Sequence, residues 1–496
     1  MAGRALNSAA TTSGGRPEAA TGVDRPLQVA LVSTYELGRQ PFGIASPAAW
    51  LKREGCAVTC LDLAVKAGRD KDREQTTLAA ADLVAFYVPM HTATRLAAGL
   101  VPRVRQLNPD AHLCFYGLYA PVNESFLRRL GGHTILGGEF EEGLISLVRR
   151  LSAEGGLTAS AADGDCEQPE PRISLGRQSF VVPDRSGLPA LDRYARMQMP
   201  SGALKTVGYT EATRGCKHLC RHCPIVPVYG GNFRIVQRDV VLEDIRGQVA
   251  RGADHITFGD PDFFNGPTHA VKLVQALHEE FPELTYDVTI KVEHLLKQRQ
   301  HLPALRDTGC LFVTCAVESI DPRVLEIFDK GHSRQDFVEA ARQFREVGLT
   351  MNPTFVTFTP WTTIESYLEL LHTLLELDLI ENVSPIQYAI RLLITESSRL
   401  LELPEVRQII GEFDEQRLVY PWEHTDPQVD RLCEDLLEAI QEGQRRGETR
   451  RQIFQRVWQL AHQAYEGSCE LSFEVANLGQ VADRATIPYL TEPWYC

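Results

Sequence analysis

Residues 214–224 read Arg214-Gly215-Cys216-Lys217-His218-Leu219-Cys220-Arg221-His222-Cys223-Pro224 and follow directly on a strand-forming run, Tyr209–Thr213. The cysteine spacing is C-x3-C-x2-C. A loop this short can wrap one corner of a four-iron cubane and set three thiolates on three irons. The fourth iron then stays open, and an open metal position is where a cofactor or substrate chelates. Gly215 lets the backbone turn at the strand end and Pro224 closes the loop. Structural zinc and three incidental cysteines are the competing readings. Zinc wants a fourth ligand at similar spacing. No second C-x2-C pair is present, and His218 and His222 sit inside the loop, badly placed for a tetrahedral knuckle.

Toward the C-terminus, apolar runs alternate with amphipathic ones. The expected strands are Tyr209–Thr213, His255–Phe258, Thr285–Ile290, Leu311–Val317, Thr350–Thr357 and Pro385–Ile390. The helices expected between them are Val241–Arg251, Ala270–Glu280, Leu302–Asp307, Phe337–Val347 and Glu365–Leu377. Six βα units are too few for a complete eight-fold barrel and predict a partial (β/α)6 barrel over residues 201–395. From residue 396 to 496 the pattern is mainly helical, with amphipathic runs near Asp430–Arg445 and Arg451–Tyr465.

Toward the N-terminus, a first alternating series covers residues 26–152, with strands at 28–33, Val58–Leu63, Leu83–Val88, Leu113–Tyr116 and Thr134–Leu136. Alternation of this kind predicts a parallel, doubly wound, Rossmann-like sheet that binds ligands at the carboxyl ends of its strands. Residues 153–200 are rich in Gly, Pro, Asp and Ser and read as a linker. Residues 1–25 read as a disordered lead without the apolar core of a signal peptide. The fold class is therefore α/β in both major domains.

Composition narrows the function classes. The chain has 51 basic and 65 acidic residues, a net charge of −14, which argues against a bulk nucleic-acid or anionic-membrane surface. No apolar run approaches the roughly 18–20 residues of a membrane span. Twelve cysteines, three of them crowded into eight residues, read as a metal site in a reducing cytoplasm rather than a disulfide framework.

The cysteine loop after a first barrel strand resembles the radical S-adenosylmethionine (SAM) superfamily, over Gly208 to about Ile394. The resemblance implies a [4Fe–4S] cluster held by Cys216, Cys220 and Cys223. Its open iron would bind the amino and carboxylate groups of SAM, and electron transfer would cleave the sulfonium to give a 5′-deoxyadenosyl radical. His222 stands where the family usually has an aromatic residue near the adenine; packing against the cluster is the alternative. Phe258-Gly259-Asp260-Pro261-Asp262-Phe263 looks like the second-strand motif whose backbone and acid receive the cofactor ammonium, with Asp260 and Asp262 as the anionic receptor; an Asp-Pro turn is the plain alternative. Lys291, ending the third strand, would pair with the cofactor carboxylate or be an ordinary surface lysine. Glu318 and Ser319, ending the fourth, resemble the pair that contacts the ribose or amino-acid part. Pro353, Thr354 and Arg391 are further candidates, whereas Cys310 and Cys315 flank an apolar strand and are expected to be buried thiols.

The N-terminal series resembles the cobalamin-binding domain that precedes the barrel in one branch of the superfamily. The matching stretches are Leu37-Gly38 through Gly55, Val88 to Thr94, Tyr116-Gly117 and Leu136-Gly137-Gly138-Glu139. Gly38, Gly117 and Gly138 would admit the nucleotide tail. The pattern departs from domains that donate a lower axial histidine, because Ser33 to Pro47 contains none. Cobalamin would then bind without that ligand, or the domain keeps the fold and holds nothing. His91 lies in the wrong loop for the axial role.

These resemblances imply a radical SAM enzyme acting on a small-molecule or peptide substrate, supplied with electrons by a flavodoxin- or ferredoxin-like protein. Methyl transfer is expected if cobalamin binds. A cobalamin-independent radical enzyme that docks a partner or substrate through its first domain is the alternative. A passive iron–sulfur electron carrier or scaffold is a third reading, which the polar strand ends argue against. The last residues, Thr491-Glu-Pro-Trp-Tyr-Cys496, resemble a radical SAM family whose tail is Cys-Cys-Ala-Glu-Pro or Cys-selenocysteine-Ala-Glu-Pro. On that resemblance a selenocysteine is expected after Cys496; a terminus with one free thiol is the alternative.

Overall fold

A computed structural model describes residues 25–65, 70–153, 168–466 and 487–491. Five parallel strands, Gln28–Ser33, Ala57–Asp62, Leu83–Tyr87, His112–Tyr116 and Thr134–Gly138, form the N-terminal sheet. Counted by position along the chain, their order is 2-1-3-4-5, and Ile173–Ser174 adds a short sixth strand beyond the fifth. The central strands are largely apolar because helices cover both faces. Phe42–Arg53 and Phe140–Ala153 pack on one face, over Leu31, Ala85, Cys114 and Leu136. Lys71–Ala80 and His91–Leu107 pack on the other, over Val32, Val84, Phe86 and Phe115. The helix Lys71–Ala80 has no counterpart in the sequence reading. It buries only Glu74 and Leu78, too few apolar positions to show a helical period.

The predicted linker is a strap over residues 168–200 rather than a free connector. Arg185 is buried and forms a two-point ion pair with Asp244 (2.7 and 2.9 Å), while bonding Gln40 Oε1 and the Tyr209 carbonyl. One side chain thus joins strap, N-terminal domain and barrel.

The second sheet runs Met351–Phe355, Cys310–Glu318, Thr285–Ile290, His255–Phe258, Leu204–Thr210, Arg196–Gln198, Tyr489–Leu490. Its first five members are parallel, and the last two add antiparallel at one edge. The predicted first strand ends earlier than expected, at Thr210. Residues Thr213–Gly215 instead pair with Phe233–Ile235 as a two-stranded ribbon that closes the neck of the cysteine loop.

The predicted sixth strand is absent. Pro385–Tyr388 is a 3-10 turn, and the segment's one backbone bridge is to Phe358, whose N–H donates to Ile390 and whose carbonyl accepts from Leu392. Proline cannot donate to a ladder, and the Gln387 side chain accepts from the Phe355 N–H that a strand would have taken. A helical hairpin, Pro427–Arg445 and Arg450–Glu466, covers this open side and extends the barrel core with Leu432, Leu436, Ile453, Phe454 and Trp458. No described helix is long and apolar enough to cross a membrane. Residues 1–24 and Cys496, to which the lead and tail expectations refer, lie outside the described residues.

Candidate metal centre and cofactor site

The cysteine loop is held at three points. Asp260, immediately after the strand His255–Phe258, accepts from the Ala212 N–H (3.0 Å) and the Thr213 hydroxyl (2.5 Å). Asn265 bonds the Gly215 carbonyl and the Lys217 N–H. Arg221 donates from its backbone to Phe328 and from its guanidinium to Glu326 and Ile327. Gly215 has φ +75°, and a Cβ there would lie 2.3 Å from the Tyr229 ring and 2.6 Å from the Asn232 carbonyl, so only glycine fits.

Cys220 is buried and Cys216 and Cys223 are half-buried. Burial pushes the Cys216 thiol up to about 11 and Cys223 to about 12, and each is raised further by its cysteine neighbours. Metal binding must therefore displace protons. Lys330 is buried beside Cys220 and Cys223; its pKa is raised, burial being outweighed by Glu318 and the two thiols.

The expected cofactor residues divide into those that face this centre and those that do not. Glu318 has φ +68° and turns toward Lys330 (3.4 Å) and His222 (3.6 Å). Burial works against its charge, but Lys330 and His222 hold it at about 2. His222 stacks on Phe328 at 4.3 Å, and burial lowers its pKa. Lys291 is buried with its Nζ 3.2 Å from His218 Nδ1 and 3.3 Å from Glu293. Asp262 is buried between His218 and His294; burial would raise its pKa, but the two imidazoles bring it below the usual value. Ser319 Oγ accepts from the Asp321 N–H, and Thr354 is half-buried against the Cys315 carbonyl.

Other expected residues have partners within the fold. Asp260 is 2% exposed, and its carboxylate accepts from the backbone and hydroxyl that precede the loop. Burial pushes its pKa up to about 7. Gly259 makes room for the Tyr209 hydroxyl, 1.9 Å from where its Cβ would stand, and Pro261 forms the turn to Asp262. Arg391 turns away from the barrel mouth to bond Asp430 and the Trp422 carbonyl, with its guanidinium 3.6 Å over the Trp422 ring. As expected, Cys310 and Cys315 are buried thiols.

The carboxyl edge of the N-terminal sheet meets the cysteine loop. Arg214, two residues before Cys216, is 5% exposed. It makes a two-point pair with Glu141 (2.7 and 2.8 Å) and bonds Glu211 (2.7 Å), with Glu139 at 3.5 Å. The Phe42, Phe140 and Phe180 rings surround it at 5.0–5.5 Å. Tyr229, at the far end of the loop, donates to Glu139 (3.3 Å). Burial pushes Glu139 up to about 7 despite Arg214.

The edge glycines are engaged by the chain itself. The Gly38 carbonyl accepts from Ala195, a Gly117 Cβ would meet the Tyr87 ring at 3.0 Å, and a Gly138 Cβ would meet the Ser174 carbonyl at 2.2 Å. The loop from Ser33 to Pro47 carries buried atoms without a partner: Ser33 Oγ, Glu36 Oε2 and Arg39 Nε. His91 Nε2 lies 2.6 Å from the Arg417 carbonyl. Neither the Arg214 network nor Lys330 has a local sequence signature; Glu139 and Arg214 are 75 residues apart.

Three free thiols thus stand on the loop after the first strand of a partial barrel. The model of the Radical SAM superfamily matches residues 210–374, and this segment of the chain is a radical SAM domain. Such a domain implies a [4Fe–4S] cluster and SAM.

The hopanoid C-3 methylase of Methylococcus capsulatus is 24% identical over 332 residues, 65% of this chain and 62% of that protein. The bacteriochlorophyllide d C-12(1)-methyltransferase of Chlorobaculum tepidum is 28% identical over 132 residues, 26% of this chain and 28% of that protein. The chain therefore spans less than two thirds of these relatives. Among solved structures, the cobalamin-dependent SAM radical enzyme OxsB with aqua-cobalamin superposes with a TM-score of 0.63 at 15% identity, covering 85% of this chain and 67% of that one. The radical SAM methyltransferase TsrM of Kitasatospora setae, with cobalamin and a [4Fe–4S] cluster, superposes with a TM-score of 0.54 at 18% identity, covering 71% and 70%. At these identities the likeness concerns the fold, including the α/β domain ahead of the barrel.

Proposed function

We propose that the protein is a radical SAM enzyme that reductively cleaves SAM at a [4Fe–4S] cluster on Cys216, Cys220 and Cys223 and uses cobalamin to transfer a methyl group to a small-molecule substrate. The observation that carries this reading is the three-thiol loop at the mouth of the partial barrel, bonded through Arg214 and Tyr229 to the carboxyl edge of the N-terminal sheet. Methylases among the relatives support the reaction class. When bound, the cluster supplies the electron that breaks the sulfonium, and a corrinoid supplies a cobalt centre for methyl transfer.

The chain's own residues do the rest. Lys330 offsets thiolate charge. Glu318, Ser319, Lys291, His222 and Thr354 line the side from which the amino-acid and adenosine parts of SAM are held. A corrinoid at the N-terminal edge would take no histidine from the loop 33–47, which has none, and His91 is engaged by the Arg417 carbonyl. Ser33, Glu36 and Arg39 offer unpartnered polar atoms to the amides of a corrin rim. A flavodoxin- or ferredoxin-like protein in the cytoplasm would supply the electrons.

A second reading, without cobalamin, is favoured by Tyr87. Its ring occupies the space above Gly43, 2.0 Å from where a Cβ would be, and beside Gly117. Anaerobic reconstitution with iron, sulfide and hydroxocobalamin decides between them. The first reading predicts bound corrinoid absorbance and, on reduction with SAM, formation of 5′-deoxyadenosine. Cleavage of SAM without bound corrinoid selects the second. Iron-loaded protein that leaves SAM intact contradicts both.

A further inference from the structure

Beside the cysteine loop stands a second group of metal-ligating side chains. His218 comes from the loop itself, Asp262 from the turn after His255–Phe258, and His294 from the helix Val292–Lys297 that follows the third barrel strand. Their ligand atoms all lie within 4.8 Å of one another. His218 Nε2 is 3.5 Å from Asp262 Oδ2, and His294 Nδ1 is 2.7 Å from the same oxygen. The rings of His218 and His294 are 4.5 Å apart.

Each of these three atoms is buried and meets only the others of the group, without an aligned hydrogen bond. Asp262 is 1% exposed, so an unsatisfied carboxylate oxygen there is costly. The approach of His294 to Asp262 is close but not aligned as a hydrogen bond, as expected of two lone pairs aimed at a common third atom. Ligand atoms bound to one ion at about 2.0–2.2 Å stand roughly 3–3.5 Å apart, so the observed spacings need only a small adjustment.

The surroundings fit as well. Asp262 Oδ1 accepts from the Phe264 N–H, which fixes the carboxylate plane. His218 Nδ1, the ring nitrogen turned away from the site, lies 3.2 Å from Lys291 Nζ and 3.5 Å from Glu293, and Glu293 is held in turn by Lys291 and Lys297.

We propose that His218, Asp262 and His294 bind a mononuclear divalent first-row metal ion, separate from the iron–sulfur cluster. Two imidazoles and one carboxylate suit zinc or ferrous iron and leave coordination positions open at the barrel mouth. An oxygen or nitrogen donor of the substrate occupies one of them, so the ion orients substrate beside the cluster.

The test uses the reconstituted holoenzyme with Zn2+ alone as the probe. After loading and exhaustive dialysis, zinc and iron are counted in the same sample and the zinc K-edge absorption spectrum is recorded. The expected result is about one zinc per chain beside an undiminished iron content, with a nitrogen and oxygen shell at about 2.0–2.1 Å and imidazole outer-shell scattering. Asp262→Asn and His294→Gln are expected to keep the iron and lose at least tenfold in retained zinc. The wild-type spectrum serves alone if a variant fails to fold. Zinc with sulfur neighbours at about 2.3 Å places the ion on the cluster cysteines and overturns the proposal. So does a filled cluster with no retained zinc. Iron content reports separately on the cluster, so loss of the cluster reading and loss of this site are distinguishable.

Discussion

The molecule contains two parallel sheets whose carboxyl edges meet, and the two edges are furnished differently. At the barrel mouth, charged groups remain grouped around three thiols: Lys330 with Glu318 and His222, and Lys291 with Glu293 and His218. At the N-terminal edge Glu141 and Glu139 are engaged by the barrel, while Glu36 keeps a buried oxygen without a partner. Glu141 is fully paired with Arg214 of the barrel, and Ser46 and Gln178 bond the same carboxylate. One edge keeps its polar groups for chemistry, and the other uses Glu141 and Glu139 to dock. The same fold rule, ligands at strand ends, has therefore been applied twice with different residual chemistry.

Removing Arg214 breaks the docking side of that comparison. Arg214→Met leaves Glu141, Glu139 and Glu211 buried without their cation, and removal of one partner from a buried pair costs about 3–5 kcal/mol. Chemical denaturation is expected to show a loss of that size, together with impaired cluster retention because Arg214 precedes Gly215 and Cys216. A loss under about 1 kcal/mol would mean that the edges meet without depending on this network.

Asp260 sharpens the comparison on the barrel side. Asp260→Ala leaves the Ala212 N–H and the Thr213 hydroxyl unsatisfied, at a cost of about 1–3 kcal/mol. The expected signature is lower iron content per chain, with normal SAM affinity in the molecules that retain a cluster. Full iron content with weakened SAM binding would give Asp260 the ammonium-receptor role.

The smallest effect is a pH dependence confined to the N-terminal sheet. Burial lowers His112 to about 3 and His133 to about 4. Both values lie below the unfolded value of about 6.5. The folded state therefore binds these protons less readily than the unfolded chain, so their contribution is present above about pH 6.5 and is lost as pH falls toward 4 and then 3. The double variant His112→Asn/His133→Asn is expected to flatten stability against pH across that window. A slope equal to that of the wild type contradicts the assignment.

Much of this architecture was legible because strand and loop chemistry is local. The cysteine spacing, the first five barrel strands and the N-terminal alternation each rest on residues within a few positions of one another. What escaped was non-local. The sixth strand failed because Pro385 and the Gln387 side chain end the ladder, a competition invisible in an apolar run. Asp260 read as an acid at a strand end, yet only the folded chain shows Ala212 and Thr213 waiting for it. His218, Asp262 and His294 come from three segments, and no period or motif joins them. Arg391 looked like a mouth residue until the Trp422 ring and Asp430, more than thirty residues on, were placed around it.

The central claim is that three thiolates hold a cluster whose fourth iron is open to SAM. Electron paramagnetic resonance of the reduced, reconstituted protein with and without SAM tests it most directly. The account predicts about four irons per chain and a cluster signal whose g-values shift when SAM is added, both lost in Cys216→Ala/Cys220→Ala/Cys223→Ala. An intact cluster in that triple variant, or a wild-type signal indifferent to SAM, would contradict it.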